Sequence, residues 1–280
     1  MHFRRSAHPR PNAPAAPRSA AAARSRPARR EHWLYGRHAV AAALANPERR
    51  WRRLLVAAGH EDEAERLLAA AVAERRGGVG PALNVLAREA LAALLPPGAV
   101  HQGLALEVEP LPAPDFAALL HEVATTARRC VVVVLDQVTD PHNVGAVLRA
   151  AAAFGAEAVV VASHDAPPIS GALAKAASGA VERIALIRVV NLARALAQLK
   201  AAGFWVCGLD ETAAAPLAAL DLGERVALVL GSEGSGLRRL VRAGCDYLAR
   251  LPTSPRQPTL NVAGAAAVAL YELARRAANF

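Results

Sequence analysis

The sequence is poor in features that mark secreted, membrane-spanning or zinc-binding proteins. Of its 280 residues only Cys130, Cys207 and Cys245 are cysteines, and their wide spacing matches no zinc motif. Cys130 and Cys207 fall in apolar runs, which predicts buried free thiols in a reducing cytoplasm. No apolar run approaches the roughly 20 residues of a membrane span, and no secretory signal core occurs. We therefore expect a soluble, cytoplasmic protein that binds neither a membrane nor a metal.

Acidic residues and lysine are absent from residues 1–30, which contain eight arginines and five prolines. Most of the formal net charge of +9 therefore lies in this tail. Its low apolar content predicts a disordered basic tail over residues 1–31. Such an arm fits a nucleic-acid partner through counterion release. A solubilising extension, a misassigned start codon and a mitochondrial transit peptide are the alternatives, although the prolines disfavour the amphipathic helix of a transit peptide.

The length predicts two domains after the tail. Residues 32–109 are predicted to form a small αβ domain, with helices near 39–45 and 61–75. Its strand candidates are 51–59, 83–87 and 102–110. The proline-rich stretch PLPAPD opens a predicted linker over residues 110–127.

Residues 128–280 alternate apolar strands with helical segments. The strands are continuous apolar runs, which is typical of parallel strands covered on both faces, so an α/β fold is predicted. Strands are expected at 130–136, 158–162, 184–189, 204–210 and 225–231, and helices at 143–154, 170–178, 191–202 and 260–279.

The stretch DQVTDPHNVGAVLRAAAAFGA (136–156) follows the first of these strands. Asn143 is a plausible N-cap for the helix that carries Arg149. The apolar neighbours of Arg149 predict a buried guanidinium, which is costly unless it meets an anion. The alternative is an arginine that faces solvent.

The glycine-rich stretch LVLGSEGSG (228–236) follows another strand. It lacks the GK[ST] ending of a Walker loop and the GxGxxG spacing of a dinucleotide fold. Glu233 would repel a phosphate. The loop therefore favours a ligand that is cationic or neutral near this carboxylate.

The third stretch, RLPTSPRQPTLNVAGAAAVALYE (250–272), opens the last helix. Pro252, Pro255 and Pro258 predict an extended loop. Asn261 or Thr259 could cap the helix that follows.

Together these stretches carry a resemblance. NxGxxxR at 143–149, GxEGxG at 231–236 and LP…TLNVAGA at 251–265 resemble, in order, the three motifs of the SpoU (TrmH-type) RNA ribose 2′-O-methyltransferases of the SPOUT superfamily. YGRHAVAAAL (35–44) and HQGLALEVEPL (101–111) resemble the bounds of the family's substrate-binding domain. The two-domain arrangement is most similar to enzymes that methylate a guanosine ribose of 23S rRNA.

The resemblance implies a C-terminal trefoil-knotted, parallel-sheet methyltransferase domain, S-adenosylmethionine as methyl donor and a homodimer. It implies a catalytic role for Arg149, together with Asn143, Glu233 and Asn261. The residues implied to bind the cofactor are Leu230, Gly231, Gly234, Leu251, Thr259 and Leu260. The third motif departs from the family pattern at Thr253, Pro255, Thr259 and Ala263, and Pro255 replaces a glycine.

Target RNA is expected on the N-terminal domain. ERRWRR (48–53) interleaves a tryptophan with arginines, which suits phosphate contact and base stacking. The predicted RNA-binding residues are Arg37, Arg49, Arg50, Trp51, Arg52 and Arg53. A solvated helix end is the alternative for this stretch. For the whole chain, the alternatives are methylation of a tRNA ribose or of another 23S rRNA nucleotide, and a non-catalytic RNA-binding protein of ribosome assembly.

Overall fold

The structure is a computed structural model that describes residues 32–75, 80–126, 128–256 and 259–277. The predicted basic tail, residues 1–31, lies outside the described residues. Within the described ranges the chain forms two sheets, one in residues 33–108 and one in residues 130–249. No helix in these ranges is long and apolar enough to cross a membrane.

The N-terminal sheet, as described, has four strands in the order β1-β4-β2-β3. β2 and β3 are parallel, whereas β4 pairs antiparallel with both β1 and β2. The strands are β1 (Trp33–Tyr35), β2 (Trp51–Ala57), β3 (Ala82–Leu86) and β4 (Leu104–Val108). The helices of this domain are α1 (Arg37–Ala45), α2 (Glu61–Glu74) and α3 (Arg88–Leu94).

Two local expectations change in this region. The stretch ERRWRR is not a helix end, because β2 begins at Trp51 and the preceding residues connect α1 to it. The predicted linker contains helix α4 (Phe116–Thr125), which is capped by the Asp115 carboxylate accepting from the Ala117 backbone N–H at 3.2 Å. The bounds of the domains and of the linker stay predictions.

The second sheet, within the described residues, has six strands in the order β10-β8-β9-β5-β6-β7, and every pair is parallel. The central strands are buried along their whole length, which is why their sequences are uninterrupted apolar runs. The predicted α/β fold with a parallel sheet is confirmed. The strands are β5 (Cys130–Leu135), β6 (Ala158–Ala162), β7 (Ala185–Val189), β8 (Trp205–Leu209), β9 (Arg225–Leu230) and β10 (Tyr247–Ala249).

Helices cover both faces of this sheet. Besides α4, the described helices of this domain are α5 (Pro141–Ala153), α6 (Gly171–Ala176), α7 (Leu192–Ala201), α8 (Arg239–Ala243) and α9 (Val262–Arg275). One face packs on apolar residues of α5 and α9, including Val147, Leu148 and Leu270. The other packs on residues such as Leu196 and Val123, from α7 and α4.

The three cysteines carry free thiols, and Cys130 and Cys207 are buried as predicted. Burial raises the pKa of Cys207 to about 12 and the pKa values of Cys130 and Cys245 to about 11. The thiols are therefore held in the protonated, unreactive form in the folded protein.

At pH 8 a thiol reagent should label the native protein about 100-fold more slowly than the urea-unfolded chain, because thiolate is that much rarer at a pKa near 11 than near 9. The unfolded chain loses its thiol protons first as pH rises. Stability should therefore fall between about pH 9 and the folded pKa values. A fast-labelling native thiol would contradict this assignment.

Candidate cofactor and RNA site

The candidate site lies at the carboxyl ends of the central parallel strands. β5 and β9 are neighbours in register, so that Leu135 pairs with Leu230 and the segments that follow both strands leave the sheet side by side. Strand order reverses here, because β6 lies on one side of β5 and β9 on the other. Ligands of open α/β sheets bind at the carboxyl ends of strands near such a switch point.

A cavity of about 670 Å³ opens at this edge. It is lined by segments after β8, β9 and β10 and by the start of α9. All six residues predicted to bind the cofactor line it, namely Leu230, Gly231, Gly234, Leu251, Thr259 and Leu260. Glu233 and Asn261 line the same cavity.

The glycine-rich loop folds back on itself immediately after β9. The Gly236 backbone N–H donates to the Ser232 carbonyl at 3.0 Å, and the Ser232 and Ser235 hydroxyls lie 2.6 Å apart. A Cβ atom on Gly231 would lie 2.2 Å from the carbonyl carbon of Gly236. Only glycine fits at this position, and its backbone is left open toward the cavity.

Glu233 connects the three motif stretches. Its Oε1 accepts from the Asn143 side-chain amide and from the Val262 backbone N–H, each at 3.3 Å. Val262 is the first residue of α9, so the carboxylate also lies at the positive end of that helix. Asn261, one of the two predicted caps, is the N-cap of α9. Its Oδ1 accepts from the Gly264 backbone N–H at 2.8 Å.

Asn143 is not the N-cap of α5. That role belongs to Asp140, whose carboxylate accepts from the backbone N–H groups of His142 and Asn143 at 3.2 Å. The three-residue difference leaves the Asn143 side chain free to reach Glu233 from the first turn. Asn143 is therefore joined to the cavity through Glu233 without lining it.

Arg149 is exposed, so the expectation of a buried guanidinium is wrong for the single chain. Its neighbours on α5 face the sheet, whereas Arg149 lies on the opposite face of the helix. Its Nη1 donates to the Ser178 hydroxyl at 3.3 Å. Ser178 has φ 49°, a left-handed conformation that costs a non-glycine residue energy and is frequent at functional sites.

The sequence reading missed an ion-pair cluster that holds the end of the glycine-rich loop. Asp136 directly follows β5, is fully buried, and accepts from the Arg238 backbone N–H at 2.8 Å and from its Nε at 2.6 Å. The Nη2 of Arg238 lies 3.7 Å from the buried Oδ2 of Asp165, which follows β6. An aspartate immediately after a buried parallel strand was the available signal.

The sequence analysis also missed the part of the cavity that is lined by the residues after β8. Asp210, Glu211 and Thr212 line the cavity, and Asp210 pairs with Arg242 from α8. These residues belong to the site because the carboxyl ends of parallel strands meet at one edge, which the predicted β8 already implied.

The structure changes the reading of the predicted RNA-binding arginines. Arg49 is 3% exposed and forms a bidentate ion pair with Glu182 of the C-terminal domain, so it is not available to bind RNA. Trp51 is half-buried, and the guanidinium carbon of Arg75 lies 3.8 Å from the centre of its ring.

The other predicted RNA-binding residues are exposed. Arg52 and Arg53 both lie within 4.0 Å of Glu107, and Arg37 pairs with Glu63 at 2.9 Å. Arg50 is exposed as well. These ion pairs lower the net positive charge that the arginines would otherwise present to RNA. Among the described residues, no group of three or more histidine, cysteine, aspartate or glutamate side chains could hold a metal ion.

Comparison with known proteins gives two family matches that divide the chain as the two sheets do. The SpoU rRNA methylase family matches residues 130–271, and the RNA 2′-O ribose methyltransferase substrate-binding family matches residues 33–114.

Several curated relatives match most of the chain. The 23S rRNA (guanosine-2′-O-)-methyltransferase RlmB of Xylella fastidiosa is 38% identical over 89% of this chain and 98% of the relative. RlmB of Pseudomonas aeruginosa is 38% identical over 87% and 96%. The uncharacterized tRNA/rRNA methyltransferase slr0955 of Synechocystis is 35% identical over 87% of this chain, which spans 62% of that longer protein.

Solved structures share the fold. The SpoU methyltransferase AviRb of Streptomyces viridochromogenes, in complex with AdoMet, has a TM-score of 0.69 at 24% identity, covering 87% of this chain and 89% of that one. The AdoMet-bound rRNA methyltransferase of Sinorhizobium meliloti has a TM-score of 0.69 at 24% identity, covering 89% and 88%. With a family model matched over each of the two sheets and relatives that are 38% identical over 87–89% of the chain, this protein belongs to the SpoU rRNA methylase family.

Proposed function

We propose that this protein transfers a methyl group from S-adenosylmethionine to a ribose 2′-hydroxyl of RNA, and that its substrate is a guanosine of 23S rRNA. The observation that carries the proposal is the junction at Glu233, where the cavity, the helix of Arg149 and the start of α9 meet through one carboxylate. The names of the relatives that match nearly the whole chain support the RNA and the nucleotide.

The cavity fits S-adenosylmethionine in size and chemistry. Its volume lies within the range of roughly 300–1,000 Å³ that is typical of cofactor pockets. Leu230, Leu251 and Leu260 offer apolar walls, and the Gly231 backbone offers hydrogen-bonding groups. Glu233 supplies the negative charge that a cation requires. S-adenosylmethionine, when bound here, supplies an electrophilic methyl group on a positively charged sulfur.

Arg149 is assigned the RNA side of the reaction. A guanidinium keeps its proton in proteins, which makes it a poor general base and a good anchor for phosphate. We therefore assign Arg149 to the phosphate beside the target ribose and to stabilisation of the developing charge on the 2′-oxygen. The 2′-hydroxyl proton leaves through that phosphate or through water. Asn143, Glu233 and Asn261 fix the first turns of α5 and α9, between which the ribose is placed.

The chain path near the cavity favours a trefoil knot. After β10, at one edge of the sheet, Leu251, Thr259 and Leu260 line the same cavity as the glycine-rich loop, and α9, which follows them, packs on α5. Val262 donates to Glu233 within that loop, so the two segments are in direct contact. A knot formed here would fix the cavity walls relative to one another.

An exposed apolar face on α9 favours a homodimer. Val268 and Tyr271 are about half exposed, and Tyr271 contacts Phe154 edge-on at 6.0 Å at the end of α5. Arg149 is exposed on the helix that packs beside α9. A second copy docked on this face would cover the apolar residues and bring Arg149 into an enclosed site.

RNA binding is assigned to the substrate-binding domain, where Arg37, Arg50, Arg52, Arg53 and the edge of Trp51 remain candidates. Arg49 is removed from this set because it is buried. The proposed ribosomal RNA substrate supports a cytoplasmic location for the protein.

The first test is methyl transfer from labelled S-adenosylmethionine to unmodified 23S rRNA, 16S rRNA and bulk tRNA. We expect label on 23S rRNA alone. Arg149→Ala should lower kcat by 10²–10³-fold, the usual cost of removing a donor that stabilises transition-state charge. Arg149→Lys should retain part of the activity because a phosphate anchor survives. Arg194→Ala, on the exposed side of α7, is the control.

Label on tRNA would keep the chemistry and replace the substrate. Full loss in Arg149→Lys would contradict the phosphate-anchor role and favour one that only arginine geometry fulfils. Cofactor binding without label on any RNA would point to a precursor particle as substrate. No cofactor binding would favour a non-catalytic RNA-binding protein.

Glu233→Gln tests the electrostatic role of the carboxylate. The amide can still accept from Asn143 and Val262, so only the charge is lost. Affinity for S-adenosylmethionine should fall about tenfold, whereas affinity for S-adenosylhomocysteine, which lacks the sulfonium charge, should stay within twofold. Calorimetric titration measures both, with Glu224→Gln on an exposed loop as control. Equal loss for both ligands would show that Glu233 acts only through structure.

Val268→Glu tests the dimer. A charge on the proposed interface should convert dimer to monomer in analytical ultracentrifugation and lower methyl transfer. Val85→Glu is a matched control, because Val85 is also a half-exposed valine, 46% against 47%, but lies on β3 of the other domain. A wild-type monomer, or a dimer unaffected by Val268→Glu, would overturn this interface.

A further inference from the structure

A buried ion pair joins the two domains. Nε and Nη2 of Arg49 lie 3.1 and 2.6 Å from the two carboxylate oxygens of Glu182, and both side chains are 3% exposed. The remaining groups are satisfied as well. Arg49 Nη1 donates to the Glu109 carbonyl at 2.7 Å, and the Asn46 amide donates to Glu182 at 2.8 Å. A bidentate, fully hydrogen-bonded pair of this kind has a fixed geometry.

The two domains are in close contact at two glycines of the C-terminal domain. A Cβ atom on Gly171, at the start of α6, would lie 2.3 Å from the Tyr35 ring and 2.5 Å from the Trp33 carbonyl oxygen. One on Gly179 would lie 2.5 Å from the Cβ of Ala42. Apolar residues of both domains belong to one continuous core, including Val40 of α1 and Val181. The N-terminal domain therefore packs directly against the catalytic domain, in addition to being joined to it by the predicted linker.

The segment that carries Glu182 also contacts Arg149. Glu182 ends a short 3₁₀ helix, Ala180–Glu182, which packs against α5. Ser178 lies just before that helix and accepts the hydrogen bond from Arg149. The position of the N-terminal domain and the position of the Arg149 guanidinium are thus set by the same few residues, 178–182.

We propose that Arg49 and Glu182 are positioning residues that hold the RNA-binding domain at one fixed distance from Arg149, so that the bound RNA presents a single nucleotide to the cavity. The inference rests on the proposed function. Removing one partner while the domains stay in contact would leave an uncompensated buried charge on the other, which is strongly unfavourable. Target choice is then a property of the domain junction as well as of the cavity.

Glu182→Lys tests the proposal, because it opposes Arg49 with a like charge. Hydrogen exchange of the full chain, followed by mass spectrometry, should show at least tenfold faster exchange in peptides covering 38–49 and 171–183. Peptides of β9, residues 225–230, serve as an internal reference. The same variant should lose at least tenfold in kcat/KM for RNA and methylate neighbouring nucleotides, while its affinity for S-adenosylmethionine stays within twofold.

Two further variants separate positioning from folding. The reversed pair, Arg49→Glu with Glu182→Arg, should recover part of the lost kcat/KM and the single target nucleotide. Glu182→Gln, which keeps hydrogen-bonding capacity, should fold and lie between wild type and Glu182→Lys. Glu157→Lys, which opposes Arg128 within the catalytic domain, is the control and should change neither the target nor the exchange of these peptides.

Faster exchange at the junction with an unchanged target nucleotide and unchanged kcat/KM would overturn the proposal. Unchanged exchange in a folded Glu182→Lys protein would overturn it too, because the pair would not be what seats the domain. A wild-type protein that methylates no RNA would contradict the proposed function instead, and the exchange data would still decide whether this pair holds the junction.

Discussion

One carboxylate oxygen, Oε1 of Glu233, holds together parts of the chain that are distant in sequence. Its two donors, Asn143 and Val262, lie 90 and 29 residues away. The contact is possible because β5 and β9 are adjacent and in register, so that the segments after them emerge together. The negative charge also faces the first turn of α9, where it is favoured by the helix dipole. The glycine-rich loop, the start of α9 and one side of the cavity are thus held together by one acceptor. The ion pair of Asp136 with Arg238 holds the end of the same loop.

The parts of the fold that depend on local pattern could be predicted from the sequence. Continuous apolar runs such as Cys130–Leu135 and Ala158–Ala162 indicated parallel strands covered on both faces, and the sheet confirms this. The carboxylate in the glycine-rich loop favoured a cationic ligand over a phosphate, and all the residues assigned to the cofactor line one cavity. These features depend on residue type and on spacing within short segments.

The features that were misread depend on partners far along the chain. ERRWRR has the composition of an RNA-binding patch, yet Arg49 meets Glu182 across 133 residues and is buried. Arg149 has apolar neighbours because they cover the sheet, while its own position on α5 faces outward. A helix shows only one of its faces to the core, so neighbours in sequence do not report the burial of a given side chain.

The position of Val262 has a consequence for the protein's biosynthesis. Its N–H group reaches Glu233 from the start of α9, and α9 packs on α5, which belongs to the beginning of the same domain. A chain emerging from the ribosome can pair β5 with β6 early, but it cannot close the cavity until α9 has been made. Such long-range closure is slow and leaves a partly formed sheet exposed for a time. The nascent protein therefore lacks a closed cavity until α9 is made, and chaperone access to its open sheet edge matters most just before synthesis of α9 is complete.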